Sequence, residues 1–255
     1  MTTADDNELA HDLAEAAGRR LLRLRAEGGD PEALRKAGDR SSHEFLTAEL
    51  ALRSPGDYVL SEEAADDPAR LSADRVWIID PLDGTREFGE EGRVDWAVHV
   101  ALWERGTGER GALTAGAVAL PAEGVVMSTV NPPPLHPVVD GPLRMVVSRS
   151  RPPVFAARVA ELIGADTVPL GSAGAKIATV IIGEADAYIH GGGFYEWDTA
   201  APVAVARAAG FHASRVDGSE LLYNQADLLV PDILVCHPAL AERILEAIEE
   251  ALHAS

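Results

Sequence analysis

The chain has 255 residues, enough for one large domain or two modest ones, and 47% of them are hydrophobic, so a sizeable core is available. Only 5% are aromatic, which leaves Leu, Val, Ile and Ala to fill that core. With 41 acidic against 22 basic residues the net charge is −19, which repels nucleic-acid backbones and anionic membranes and requires metal ions or a local basic cluster wherever an anion binds.

One cysteine, Cys236 in DILVCHP, excludes an intrachain disulfide framework and reads as an inert core thiol. The N-terminus, MTTADDNE, is polar and acidic, and no long apolar run follows, so neither a secretory leader nor a membrane span is expected. These features predict a cytoplasmic protein.

In chain order, residues 5–27 carry Leu9, Leu13, Ala16, Leu21 and Leu22 at helical spacing, with Gly28 and Gly29 as the stop. DPEALRKAGDR reads as a polar connection, and a second helix is expected from Ser41 or Ser42 to about Arg53. Tyr58-Val59-Leu60 reads as a short strand running into Ser61-Glu62-Glu63, followed by a polar loop.

RVWIIDPLDGTREF, residues 75–88, organises the rest. The apolar run Val76 to Ile79 predicts a buried strand, and Pro81 predicts a turn at its end. That turn carries Asp80 and Asp83. Carboxylates held together at a strand end are costly to desolvate without a cation between them, and Mg²⁺ is the fitting hard cation. Gly84 permits close backbone approach, and a helical turn opening at Thr85 would offer N–H groups to a phosphate. The plainer alternative is an acidic surface turn with Asp83 or Thr85 as a helix cap.

VDWAVHVALWERG then reads as a strand, and GALTAGAVALPAEGVVMSTV as a hairpin with strands near 113–120 and 124–130. The proline-rich segment 131–137 predicts a boundary near residue 140, dividing an α+β half (1–140) from an α/β half (141–255). The second half alternates: LRMVVS strand, helix 152–164, TVPL strand, helix 173–182, ADAYIH strand, helix 196–209, ILVCH strand, helix 238–253. Asp198, after three glycines and Glu196-Trp197, falls in a first helical turn, where a capping role alone would account for it.

Ser61-Glu62-Glu63, DPLDGT at 80–85 and WDTAAP at 197–202 together resemble the three signature motifs of the inositol monophosphatase superfamily, Mg²⁺-dependent and lithium-sensitive phosphomonoesterases. Arg86-Glu87-Phe88, SRS at 148–150, GSAGAK at 171–176 and EWDTAA resemble the CysQ-type branch, the 3′(2′),5′-bisphosphate nucleotidases. The resemblance implies a layered αβαβα sandwich with the site between its halves. It implies that Glu62, Asp80 and the Leu82 carbonyl hold one Mg²⁺, and that Asp80, Asp83 and Asp198 hold a second, with a third ion left open. Li⁺ would act as inhibitor. It further implies that Thr85 orients the attacking water and that Glu63 supports rather than contacts the metals. Asp39 in AGDRSS matches a further acidic residue near that water, although the usual Thr-containing lead-in is absent and a solvated loop aspartate fits as well.

Substrate contacts implied by the resemblance are Gly84, Thr85, Arg86, Ser148, Arg149, Ser172, Lys176 and Asp198. Lys176 and the Arg149 region are the positive groups for a second phosphate, and His190 ends a strand before the glycines. The expected reaction is hydrolysis of 3′-phosphoadenosine 5′-phosphate to AMP and phosphate by two-metal activation of water. Inositol monophosphatase or fructose-1,6-bisphosphatase activity is the alternative. The partner is a small phosphorylated molecule, with monomer and homodimer both open. A haloacid-dehalogenase-type phosphatase would need D-x-D instead of D-x-x-D, and a non-catalytic Mg²⁺-dependent anion-binding module is the remaining rival.

Overall fold

A computed structural model describes residues 4–138 and 141–253. Two long helices come first, α1 (Ala4–Glu27) and α2 (Pro31–Arg53). The second corrects the sequence reading: DPEALRKAGDR is helical, not a connection. Asp30 caps it by accepting from the Glu32 and Ala33 amides, and Pro31 occupies the first turn, where its missing N–H costs nothing.

The first sheet has the order β1-β2-β3-β4-β5: β1 (Tyr58–Ser61), β2 (Arg75–Asp83), β3 (Ala97–Glu104), β4 (Ala112–Leu120) and β5 (Val125–Ser128). β1 runs parallel to β2, and the other pairs are antiparallel. β2 continues through Pro81, where the sequence predicted a turn. Pairing with β1 stops at Ile79, and the register against β3 shifts between Asp80 and Asp83. Pro81 therefore lies beyond β1 and inside a bulge, where no ladder amide is needed. The helical turn α3 (Thr85–Gly89) follows, with Gly84 at its start.

The second sheet is built from β6 (Leu143–Ser148), β7 (Ala165–Leu170), β8 (Ala187–His190), β10 (His212–Ser214) and β12 (Ile233–Cys236), in the order β10-β12-β8-β6-β7. β6 is parallel to β7 and β8, whereas β12 and β10 are antiparallel, so this sheet is mixed. A two-stranded ribbon, β9 (Phe194–Tyr195) with β11 (Leu229–Val230), was not apparent from the sequence. The helices are α4 (Ala156–Ile163), α5 (Ala173–Ile181), α6 (Glu196–Ala208) and α7 (Ala241–His253). α4 starts later than expected, after Pro152 and Pro153, and a 3-10 turn at 238–240 precedes α7.

Three cores separate five layers. Trp77, Ile79 and Val98 face α1 and α2. Val76, Ile78 and Ala97 face α5 and α6, which on their other side meet Val146, Tyr188 and Val235 of the second sheet. Met145, Ile189 and Leu234 cover α4 and α7. The result is the expected αβαβα sandwich. Because both faces of β2 are covered, its residues form an unbroken apolar run. Strand alternation puts Asp80 on the same face as Val76 and Ile78, toward the middle layer. The halves expected on either side of residue 140 share that layer, and residue 140 itself lies outside the described residues. Gly116 is needed for this packing, since a Cβ there would meet the Ala204 side chain at 2.7 Å.

Candidate active site

Asp80, Asp83 and Asp198 come from the end of β2 and the first turn of α6. Each presents a carboxylate oxygen within 4.8 Å of the others. Asp80 is fully buried: one oxygen accepts the Leu82 amide at 3.0 Å, while Oδ2 has no hydrogen-bond partner. Asp83 accepts from the Ser172 hydroxyl at 2.5 Å and the Gly174 amide at 2.7 Å. Asp198 accepts the Tyr195 amide at 2.6 Å, so it does cap α6, but with only one oxygen.

In the absence of a cation, packing these acids together favours the protonated forms of Asp80 and Asp198. Burial, then the charges of Glu62, Asp83 and Asp198, raise Asp80 well above the carboxylate range. Burial and Asp83 raise Asp198 to about 7. Glu62 keeps an exposed edge on the cleft and stands outside the tight group of three, yet desolvation, then Asp198 and Asp83, push it up to about 8. An all-oxygen donor set with an unpartnered buried oxygen fits a hard divalent cation.

Beside the acids, the Thr85 hydroxyl lies 3.0 Å from the Leu82 carbonyl and 3.2 Å from Asp39. Asp39 is on α2, not in a solvated loop. Burial, then Glu63, raise it to about 6, against the hydrogen bond from Thr85. Gly84 has φ +81°, and a Cβ there would come within 3.0 Å of the Asp95 carbonyl and 3.1 Å of the Ser172 side chain, so only glycine fits where the two halves meet.

These groups open onto a cleft of 340 Å³ whose lining includes Gly84, Thr85, Arg86, Ser148, Arg151 and His190. The basic side of the cleft differs from the sequence expectation. Arg149 is committed to Glu87 at 2.5 Å and Glu90 at 3.2 Å and does not line the cleft. Lys176 reaches the lining but is buried, donating to the carbonyls of Gly171 at 3.1 Å and Ser172 at 2.7 Å, and desolvation lowers its pKa. The Ser172 hydroxyl is spent on Asp83 and on capping α5 through the Ala175 amide. The Ser148 hydroxyl accepts the Arg151 amide. The exposed cations on the lining are Arg86 and Arg151.

His190 lines the cleft, and its Nδ1 accepts the Gly192 amide at 3.1 Å, which leaves Nε2–H as the donor. Burial, then Lys176 and Arg151, push it down to about 4. Beyond it, Tyr195 and Trp197 stack with centroids 4.7 Å apart and planes 17° apart. His99 is a residue the sequence reading passed over. It pairs in register with Asp80, its Nδ1 lies 3.1 Å from the Trp197 carbonyl, and its Nε2 lies 3.3 Å from Asp83. Gly174 leaves room for that ring, since a Cβ would collide with Nε2. A lone polar residue in the otherwise apolar AVHVAL was the available signal.

The model of the inositol monophosphatase family matches residues 5–253. The chain belongs to the inositol monophosphatase family. Among family members, the 3′-phosphoadenosine 5′-phosphate phosphatase of Mycobacterium bovis is 52% identical over 240 residues, covering 92% of this chain and 90% of that protein. The Mycobacterium leprae protein of the same name is 51% identical over 254 residues, covering 96% and 94%. Among solved structures, CysQ of Bacteroides thetaiotaomicron, a bacterial member of the family, superposes with a TM-score of 0.79 at 27% identity, covering 91% of this chain and 97% of that one.

Proposed function

We propose that this protein is a Mg²⁺-dependent phosphomonoesterase that hydrolyses 3′-phosphoadenosine 5′-phosphate to AMP and phosphate. The observation that carries the reading is one cleft whose lining joins Asp83 and Asp198 of the acidic cluster to an exposed Arg151. The acids suit a cation that binds the scissile phosphate, and the arginine suits a second phosphate. The substrate follows the mycobacterial relatives, which carry that name at 51–52% identity over more than nine-tenths of this chain.

In this reading Asp80, Asp83 and Asp198, with Glu62 and the Leu82 carbonyl, hold two Mg²⁺ ions. Bound Mg²⁺ supplies charge neutralisation at the phosphoryl oxygens and a nucleophilic water at neutral pH. Thr85, whose hydroxyl donates to Asp39, would orient that water, and Asp39, raised to about 6, would take up a proton near neutrality. The Gly84 and Thr85 amides and Arg86 meet the scissile phosphate. Arg151 meets the second phosphate, while Nε2–H of neutral His190 offers a hydrogen bond. The Tyr195–Trp197 stack provides an aromatic wall for the base.

Phosphate release from 3′-phosphoadenosine 5′-phosphate tests the reading. It should be strong in Mg²⁺, abolished by excess chelator and inhibited by Li⁺, with no phospho-enzyme trapped by rapid acid quench. Undiminished release in excess chelator, or a trapped covalent phosphate, would contradict it.

A further inference from the structure

Away from the cleft's lining, Arg70 is 1% exposed, in a 3-10 turn between β1 and β2. A buried guanidinium must be fully partnered, and this one bridges three segments. Its Nε and Nη2 donate to Asp66 at 2.6 and 3.1 Å, and Asp66 stands four residues after Glu62 in the chain. Nη1 donates to Asn224 Oδ1 at 2.6 Å, and Nη2 also reaches the Gln225 carbonyl at 2.9 Å. On the far side of that loop, the Asn224 and Gln225 amides donate to the two oxygens of Glu196, each at 2.7 Å. Glu196 opens α6, two residues before Asp198. Asn224 holds φ +58°, a left-handed conformation uncommon for a residue other than glycine.

We propose that Arg70, through Asn224, is a positioning residue that fixes the spacing between the Glu62 segment and the first turn of α6, and hence between the acidic groups that the two halves bring to the metal site. The reason is connectivity. β1 pairs with β2 only as far as Ser61, and the segment from Glu62 to Asp66 carries no ladder pairing that ties it to α6. The Asp66–Arg70–Asn224–Glu196 chain of hydrogen bonds, buried from Arg70 to Glu196, crosses from that segment to α6. A fork of donors is needed for it, because one cation serves a carboxylate, a side-chain amide and a backbone carbonyl at once.

Asn224→Gly isolates the link: glycine keeps the left-handed backbone and the amide bonded to Glu196, and loses only the contact to Arg70. Asn224→Asp retains the acceptor. Arg215→Lys is the control, since Arg215 makes a two-bond ion pair with Asp232, at 2.7 and 2.6 Å, away from the cleft lining. Chelator-stripped proteins are titrated with Mn²⁺ by calorimetry, and their melting temperatures are measured without metal. Asn224→Gly should weaken Mn²⁺ binding by about tenfold or more, in the range typical of residues that orient ligands, and Asn224→Asp should stay near wild type. Arg215→Lys should lower the melting temperature while leaving Mn²⁺ affinity unchanged. Wild-type affinity in Asn224→Gly, equal weakening in Asn224→Asp, or equal weakening in Arg215→Lys would each overturn the proposal.

Discussion

The two walls of the cleft are built on different terms. The wall from the first sheet supplies acids whose placement is local: β2 alternation turns Asp80 inward, and the bulge at Pro81 brings Asp83 beside it three residues later. The second half supplies Asp198 together with Arg151 and the aromatic stack, and there local sequence does not decide which cation is available. Arg149 and Arg151 stand two residues apart, yet one is neutralised by Glu87 and Glu90 while the other is an exposed part of the lining. Function on the acidic wall is written into backbone geometry, and on the basic wall into long-range pairing.

The harshest way to break this contrast is to remove one acid. Asp80→Asn should lower kcat/KM by about a thousandfold or more, since it removes a preorganised charge at the reacting centre, while circular dichroism stays unchanged. Activity within tenfold of wild type would mean the acidic wall is not the metal site.

The basic wall is sharpened by comparing its two arginines. Arg151→Ala should raise KM for 3′-phosphoadenosine 5′-phosphate by losing about 1.5–3 kcal/mol of charged hydrogen bonding, roughly ten- to a hundredfold, and should change KM for inositol monophosphate far less. Arg149→Ala should leave that ratio unchanged, and the reverse ranking would show that the Glu87–Glu90 pairing opens on binding. Lys176→Met should cost about three- to tenfold in kcat for both substrates alike, as expected of a group that braces the Gly171 and Ser172 carbonyls instead of touching one substrate.

The smallest effect is on stability. Asp198 and Glu62 are raised in the folded protein to about 7 and about 8, above their unfolded values. The folded state therefore binds more protons, and the stability these groups contribute is present below the unfolded pKa and lost as pH rises through the folded one. The melting temperature of metal-free protein should fall by a few degrees between about pH 5 and about pH 8, and saturating Mg²⁺ should remove the fall. A metal-free protein that gains stability over that range would contradict the crowding of these acids.

The same contrast explains what the sequence disclosed. The order of layers and the acids at strand and helix ends were legible, because apolar periodicity and turn chemistry are local. The beginning of α2 was missed because a run of charged residues masked an Asp-Pro-Glu start, and with it the helical setting of Asp39. Lys176 read as a free cation because nothing in GSAGAK reveals that its ammonium folds back on Gly171 and Ser172. His99 was overlooked since its partners, Trp197 and Asp83, lie 98 and 16 residues away in the chain. Cys236 was read correctly as inert: burial pushes its thiol up to about 12.

The most direct test of the central claim is a side-by-side measurement of kcat/KM in Mg²⁺ for 3′-phosphoadenosine 5′-phosphate, inositol monophosphate and fructose 1,6-bisphosphate. A cleft that combines clustered acids with an exposed arginine and an aromatic wall predicts that the nucleotide exceeds both competitors by about tenfold or more. Inositol monophosphate preferred by the same margin would contradict the substrate assignment while leaving the metal site standing.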